Sequence, residues 1–456
     1  MLTDKKYLYF IGIGGIGMSA IARYFKSEGY DVSGYDKTTS SITDQLFDEG
    51  INVQFEDDWS LIDGMYMDNP KHTLIIYTPA IPSDNHLFIK FKSEGFDMVK
   101  RAQILGFITQ DTVNLSIAGT HGKTTTSSIV ASIYMQSEVS FSAFLGGISA
   151  NLNSNYYKQE GLGRLHTITE ADEFDRSFMH LRPNFVIITS TDADHLDIYK
   201  DKNDIENSYV QFSQLVAERE FLFFAKNAAN RIIGCSYSAT DPTADYYATN
   251  LKKSARGTYF DLMKHGDEVL MTNLYISLPG MHNLENAIGA ILVTLKSGMN
   301  WESIKKGLAS FKGIKRRFEY IIERDNFIFI DDYAHHPSEL KAIINSIQNL
   351  YPNQHITAIF QPHLYSRTQD FMGEFAQVLE KVDRLILLPI YAAREKAVDG
   401  VSSDVLLQKI DIEHKICLEK SEVIPYLKEH KTEILLTIGA GDIDQLVQPI
   451  ADNYGQ

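Results

Sequence analysis

The sequence predicts an α/β protein of three domains, each organised around a mainly parallel sheet. Three observations predict it. An apolar strand run at 7–11 enters Gly12-Ile-Gly14-Gly15-Ile-Gly17 and then a helical pattern. A second strand run, at 113–118, enters Gly119-Thr-His-Gly-Lys-Thr-Thr-Thr126 and another helical pattern. From residue 315 onward, apolar runs alternate with polar loops as far as Asp442. The boundaries read as 1–105, 106–314 and 315–456, and 456 residues suffice for domains of ordinary size.

In the first segment, Tyr7–Ile11 reads as a strand and the helix after the glycines runs to about Ser27. Asp31–Tyr35 reads as a second strand ending at Asp36. This is the fingerprint of a diphosphate site: Gly12 permits the turn, Gly14 lets a diphosphate approach, and Gly17 lets the helix pack on the sheet. A further strand, Thr73–Tyr77, runs into Thr78-Pro79-Ala80-Ile81-Pro82-Ser83, a loop at the same ligand-bearing edge.

The second segment opens with the phosphate loop, Gly119, Thr120, His121, Gly122, Lys123, Thr124 and Thr125. Backbone N–H groups and a helix N-terminus suit phosphate oxygens. Lys123 would reach the terminal phosphates, and Thr124 would hold Mg²⁺. The loop is short, because Ile117 stands where the first glycine of the general pattern is expected. Two later strands, Leu165–Thr169 and Phe185–Thr189, run into Glu170-Ala-Asp172-Glu173-Phe-Asp175 and Asp192-Ala-Asp194-His195-Leu-Asp197. In a parallel sheet both ends lie beside the phosphate loop. Glu170 and His195 therefore read as ligands for Mg²⁺ or Mn²⁺. Asn283 and Asn286 fall on one face of a helix and could read an adenine edge, or serve only as capping residues.

In the third segment, strands near 327–330, 355–360, 384–388 and 434–438 feed loops containing Asp331-Asp332-Tyr333-Ala334-His335-His336-Pro337 and Gln361-Pro-His363-Leu-Tyr365-Ser366-Arg367-Thr368. Zinc is not expected, since no third ligand lies at a familiar spacing.

Bulk properties narrow the partners. Net charge is −16, which disfavours nucleic acid and anionic membrane. Two distant cysteines fit free thiols in a reducing cytoplasm. No signal peptide or membrane-length apolar run is read. A cytoplasmic monomer or homodimer is expected.

The combined motifs resemble the Mur ligases, ATP-dependent amide-forming enzymes of peptidoglycan precursor synthesis. The shared marks are the short Gly-Thr-His-Gly-Lys-Thr-Thr loop, Glu170, Asp194-His195, Gly280-x-His282-Asn283-x-x-Asn286, Arg317-Phe318 and Asp332. Residues 12–19, 170–178, 331–337 and 361–368 follow the branch that adds L-alanine to UDP-N-acetylmuramate; the branch that adds a whole tripeptide is the nearest alternative. The resemblance implies an N-terminal Rossmann-like domain for the UDP substrate, a central ATPase-like domain and a C-terminal Rossmann-like domain for the amino acid.

The resemblance also implies roles. Lys123, Glu170, His195 and Arg317 would be catalytic, with two divalent ions on Thr124, Glu170 and His195. Asn283 and Asn286 would contact adenine, and Asp332 the ribose. Gly14, Gly15, Ile16 and Gly17 would hold the diphosphate of the UDP substrate, with Asp36, Thr78, Pro79, Ala80 and Ser83 near its ribose or uracil. Tyr333, His335, His363 and Arg367 would surround alanine. Arg317 would complete the site on domain closure. Two positions depart from the family pattern: Ser190 replaces a common Asn, and Leu364 a frequent Arg. A nicotinamide-dependent dehydrogenase would explain residues 12–17 and Asp36 but not the second phosphate loop. A folate polyglutamate ligase would not need the first fingerprint.

Overall fold

The structure is a computed structural model that describes residues 2–192, 199, 201–228, 231–254, 256–393 and 395–455, the side chain of Lys202 excepted. Asp194, His195 and Asp197, named above, lie outside the described residues. The chain divides into two compact units, Met1–Lys312 and Gly313–Gln456.

The first unit holds two sheets. One is five-stranded and wholly parallel, in the spatial order Asn52–Gln54, Asp31–Tyr35, Tyr7–Ile11, Thr73–Tyr77, Asp97–Lys100. Alternation along Tyr7–Ile11 explains its two buried faces. Leu8 and Phe10 pack with Ile21 and Phe25 of the following helix, whereas Tyr9 and Ile11 pack with Tyr66, Leu87 and Phe91. The chain order reverses beside the central strand, so Gly12–Gly17 and Thr78–Ser83 both open at the crevice where such sheets bind ligands.

The other sheet has ten strands. Its middle consists of Leu222–Ala225, Phe185–Ile188, Val113–Ala118 and Leu162–Glu170, all parallel. Ala118 lies opposite Ile188, and Ile117 opposite Glu170, so three strand ends meet at one edge. The outer strands are partly antiparallel: Tyr246–Ser254, Gly257–Lys264 and Glu268–Ile276 form one flank, and Val139–Ser149 with Ser154–Gln159 the other. The second flank reaches the first sheet. Phe144 and Tyr156 enter its apolar cluster, and Asn155 donates to Ile16 O (2.6 Å) and Ser19 Oγ (2.9 Å).

The second unit is one six-stranded sheet in the order Glu319–Arg324, Phe327–Asp332, Ile434–Ile438, Ile356–Phe360, Arg384–Leu387, His414–Cys417, parallel except for the first strand. Ile328 and Ile330 face Leu340, Ile343 and Ile344 on one side, and Phe327 and Phe329 face Val423, Leu427 and Ile443 on the other. The mixed α/β architecture with mostly parallel sheets is the predicted one. Among the described residues no helix is long and apolar enough to cross a membrane.

Candidate active site

The phosphate loop follows Val113–Ala118, and its helix begins at Lys123, earlier than the apolar pattern from Ser127 suggested. Lys123–Thr126 are therefore helical, which directs their N–H groups toward the loop. Gly122 has φ +83, and a Cβ there would overlap the Asn286 side chain. Glycine is thus required both by conformation and by the close approach of Asn286.

Lys123 Nζ is held inward. It donates to Gly119 O at 2.5 Å and to both oxygens of Glu173, at 2.9 and 2.8 Å. Glu173 is completely buried. Burial alone would pull the Lys123 pKa down, but the carboxylates of Glu173, Glu170 and Asp172 outweigh it and hold the ammonium above its usual value. Four acidic side chains at 170–175 look alike in sequence; burial singles out Glu173 as the partner of Lys123. Its signal was an acid close behind a strand end that faces a phosphate loop.

The second strand end braces the loop. Ser190 Oγ accepts from His121 N–H at 2.8 Å and pairs with Thr120 Oγ1 at 2.9 Å. Thr120 Oγ1 in turn accepts from Asp192 N–H at 3.1 Å, and the Thr189 hydroxyl donates to His121 O. Ser190 thus contacts the loop directly, a role the departure at this position had left open.

Glu170 and Thr124 lie at the ends of neighbouring elements, and Glu170 Oε2 accepts from Gly146 N–H at 3.0 Å. A hydroxyl and a carboxylate are hard oxygen donors, so these residues fit Mg²⁺ in kind. Among the described residues there is no group of three or more His, Cys, Asp or Glu placed to hold a metal.

Asn283 and Asn286 are buried on the helix Met281–Lys296. Asn283 Nδ2 donates to Pro279 O at 2.7 Å, whereas Asn286 packs on the phosphate loop. His282, beside Asn283 on the same helix, is exposed instead.

At the first sheet, the Gly12–Gly17 loop is clasped by Asp36. Its Oδ2 accepts from Gly14 N–H at 2.8 Å, and its Oδ1 from Thr38 N–H at 3.2 Å. The helix Ile16–Ser27 has no capping side chain and no acid in its first turn. Thr78 and Ala80 form a turn, with Thr78 Oγ1 accepting from Ala80 N–H at 3.4 Å.

The second unit gathers its own cluster. Arg316 Nε lies 3.2 Å from Asp331 Oδ2, and its Nη2 donates to Gly439 O at 2.6 Å. Arg317 instead lies over the Tyr333 ring (5.3 Å) and 3.9 Å from Glu339. Asp332 is buried, its oxygens accepting from Phe318 N–H (2.7 Å) and Ala334 N–H (2.8 Å). Burial pushes its carboxyl up to about 6, against the pull of Arg317 and those two N–H groups. His335 packs edge-on against Tyr333 and against His363, the centroids 5.5 and 5.9 Å apart. His363 Nδ1 lies 3.3 Å from Arg367 Nη1, and its ring stacks on Tyr391 at 5.7 Å. Tyr333, His335, His363 and Arg367 are thus brought together, with Tyr391 and Glu339 as members the sequence reading did not name for the site.

A part-buried lysine on a phosphate loop, with acidic strand ends beside it and a separate glycine fingerprint in the same unit, defines an α/β protein of the nucleotide-binding class. Residues 7–112 match the sequence model of the Mur ligase family, catalytic domain; residues 117–294 match the Mur ligase middle domain, and 316–443 the Mur ligase, glutamate ligase domain. The UDP-N-acetylmuramate–L-alanine ligase of Flavobacterium psychrophilum is 46% identical over 446 residues, 98% of this chain and 97% of the relative. That of Christiangramia forsetii is 44% identical over 449 residues, 98% of each. The crystal structure of the Thermotoga maritima UDP-N-acetylmuramate-alanine ligase superposes with a TM-score of 0.83 at 25% identity, covering 98% of this chain and 99% of that one. The chain belongs to the Mur ligase family.

Proposed function

We propose that this enzyme joins L-alanine to the carboxylate of UDP-N-acetylmuramate, with ATP converted to ADP and phosphate, in peptidoglycan precursor synthesis in the cytoplasm. The observation that carries the reading is the Lys123 ammonium fixed at the phosphate loop beside the Glu170–Glu173 strand end. The named relatives at 44–46% identity support the choice of substrates.

The muramyl carboxylate attacks the γ-phosphate, giving an acyl phosphate and ADP; the alanine amine then attacks the acyl carbon and phosphate leaves. The difficulty is that two anions must meet. Lys123 spreads the charge of the transferring phosphoryl group, and the N–H groups of the phosphate loop orient the β- and γ-phosphates. Mg²⁺ (or Mn²⁺), two ions in this reading, would be held by Thr124 and Glu170 with His195, and would screen the phosphate charge. The roles expected for Asn283 and Asn286 (adenine), Asp332 (ribose) and Arg317 (phosphoryl group) stand as part of the proposal. Gly14–Gly17, Asp36, Thr78, Pro79, Ala80 and Ser83 receive the UDP moiety. Tyr333, His335, His363 and Arg367 receive alanine, the guanidinium of Arg367 suiting its carboxylate.

The test is an assay with UDP-N-acetylmuramate, ATP and Mg²⁺, run separately with L-alanine, glycine, L-serine and the tripeptide L-Ala-γ-D-Glu-meso-diaminopimelate. ADP release should require the amino acid and be fastest with L-alanine. Turnover with the tripeptide but not with alanine would move the chain to the recycling reaction.

A further inference from the structure

One side chain joins the two loops of the first unit and has no role in the reading above. Arg101 follows the strand Asp97–Lys100 and opens the helix Arg101–Thr109, at the ligand-bearing edge of the five-stranded sheet. Its guanidinium lies so close over Gly17 that a Cβ there would overlap Nη1. It therefore sits on the first turn of the uncapped helix Ile16–Ser27, where the diphosphate of the UDP substrate is placed. Arg101 Nη2 also donates to Asp172 Oδ2 at 2.7 Å, and the pair is only partly exposed.

Asp172 is itself held. Its Oδ1 accepts from Phe174 N–H at 3.1 Å. Beside it, Lys100 Nζ lies 3.1 Å from Asp175 Oδ2, and Arg176 Nη2 2.7 Å from Asp204 Oδ1. Asp175 and Arg176 both have positive φ, +53 and +51, a conformation that persists only where surrounding contacts impose it. The loop after Glu170 is thus pinned to the first sheet by Lys100 and Arg101, and to the phosphate loop by Glu173.

We propose that Arg101 is a positioning residue for the UDP substrate: one arm of its guanidinium binds the diphosphate over Gly17, while Asp172 braces the other. This rests on the assignment of Gly12–Gly17 to the UDP moiety. A forked guanidinium suits the task, since one edge can stay paired while the other takes phosphate oxygens. The brace also places the substrate relative to the loop that carries Glu170 and Glu173.

The test is titration of UDP into the wild-type enzyme and the variants R101Q, R101K and D172N at several salt concentrations, with KM measured for UDP-N-acetylmuramate and ATP. R101Q should weaken UDP binding about tenfold or more, since a hydrogen bond to a charged group is lost. The dependence of UDP affinity on salt should flatten in R101Q, because one cation no longer faces the diphosphate. KM for UDP-N-acetylmuramate should rise while KM for ATP holds. R101K should recover part of the affinity, and D172N should weaken UDP binding by a smaller factor. UDP affinity in R101Q equal to wild type overturns the proposal. So does a loss that keeps the wild-type salt dependence or raises both KM values together, since Arg101 would then be only a tie between sheets. Wild-type enzyme that fails to bind UDP would instead overturn the assignment of the glycine loop.

Discussion

Lys123 Nζ lies within 2.9 Å of both carboxylate oxygens of Glu173, and the acid is completely buried. Glu173 is sealed from solvent, and the Lys123 ammonium faces both of its carboxylate oxygens. Removing the lysine alone leaves a buried uncompensated carboxylate, which costs about 3–5 kcal/mol. Lys123→Met should therefore abolish ADP release and also lower stability by about that amount. The double variant Lys123→Met/Glu173→Gln should recover most of the stability in denaturant unfolding and none of the turnover. Recovery of turnover would remove Lys123 from the chemistry.

Ser190 gives a milder prediction. Its hydroxyl accepts from His121 N–H at 2.8 Å and meets Thr120 Oγ1 at 2.9 Å, bracing the phosphate loop from the next strand. Ser190→Ala should cost about 1 kcal/mol of stability and raise KM for ATP several-fold with a smaller effect on kcat. Ser190→Asn, the residue common in the family, offers an amide oxygen to the same N–H and should keep both constants near wild type. Steady-state kinetics with ATP as the varied substrate checks this.

The legible parts of the fold are those where an apolar run ends on a breaker. Tyr7–Ile11, Asp31–Tyr35, Thr73–Tyr77, Val113–Ala118 and Ile434–Ile438 coincide with their sequence readings because each is a buried parallel strand followed by a loop or acid. The outer strands of the ten-stranded sheet were not legible. Tyr246–Ser254 and Glu268–Ile276 mix polar and apolar residues on half-exposed surfaces and have bulged registers. Within the candidate site, residue types and strand ends pointed to Lys123 and Glu170. Glu173 is picked out from the neighbouring acids, and Arg101 from other basic residues, by burial and by contacts across about 50 and 70 residues of chain, which no local pattern encodes.

Adjacent arginines of the second unit should behave oppositely. Arg316 pairs with Asp331, which is 1% exposed, and donates to Gly439 O. Arg316→Met takes the cation from that carboxylate, leaving it the Thr437 hydroxyl, and should destabilise by about 3 kcal/mol. Arg317 is one-third exposed, lies over Tyr333 and is 3.9 Å from Glu339. Arg317→Met should change stability by less than about 1 kcal/mol yet cut kcat about a hundredfold or more, as expected for a lost stabiliser of transition-state charge. Paired unfolding curves and kcat values for the two variants separate these roles; a large stability loss in Arg317→Met with unchanged kcat would reverse them.

Asp332 sets a pH dependence of stability. Its carboxyl, buried and bonded to Phe318 and Ala334 N–H, titrates at about 6 in the folded protein, against about 3.9 in an unfolded chain. Between those values the folded state binds more protons than the unfolded one, so unfolding free energy falls as pH rises. The penalty is absent below about pH 4 and complete above about pH 6, on the order of 3 kcal/mol in all. Glu319 and Asp331, also raised chiefly by burial, contribute with the same sign, so a difference measurement is needed. Asp332→Asn removes this one titration, at the cost of one acceptor for the two N–H groups. Unfolding free energy of wild type minus variant, measured by denaturant at half-unit steps from pH 4 to pH 7.5, should decline through the window and flatten above it. A difference constant with pH would mean that Asp332 is ionised throughout, held charged by Arg317 and the two N–H groups.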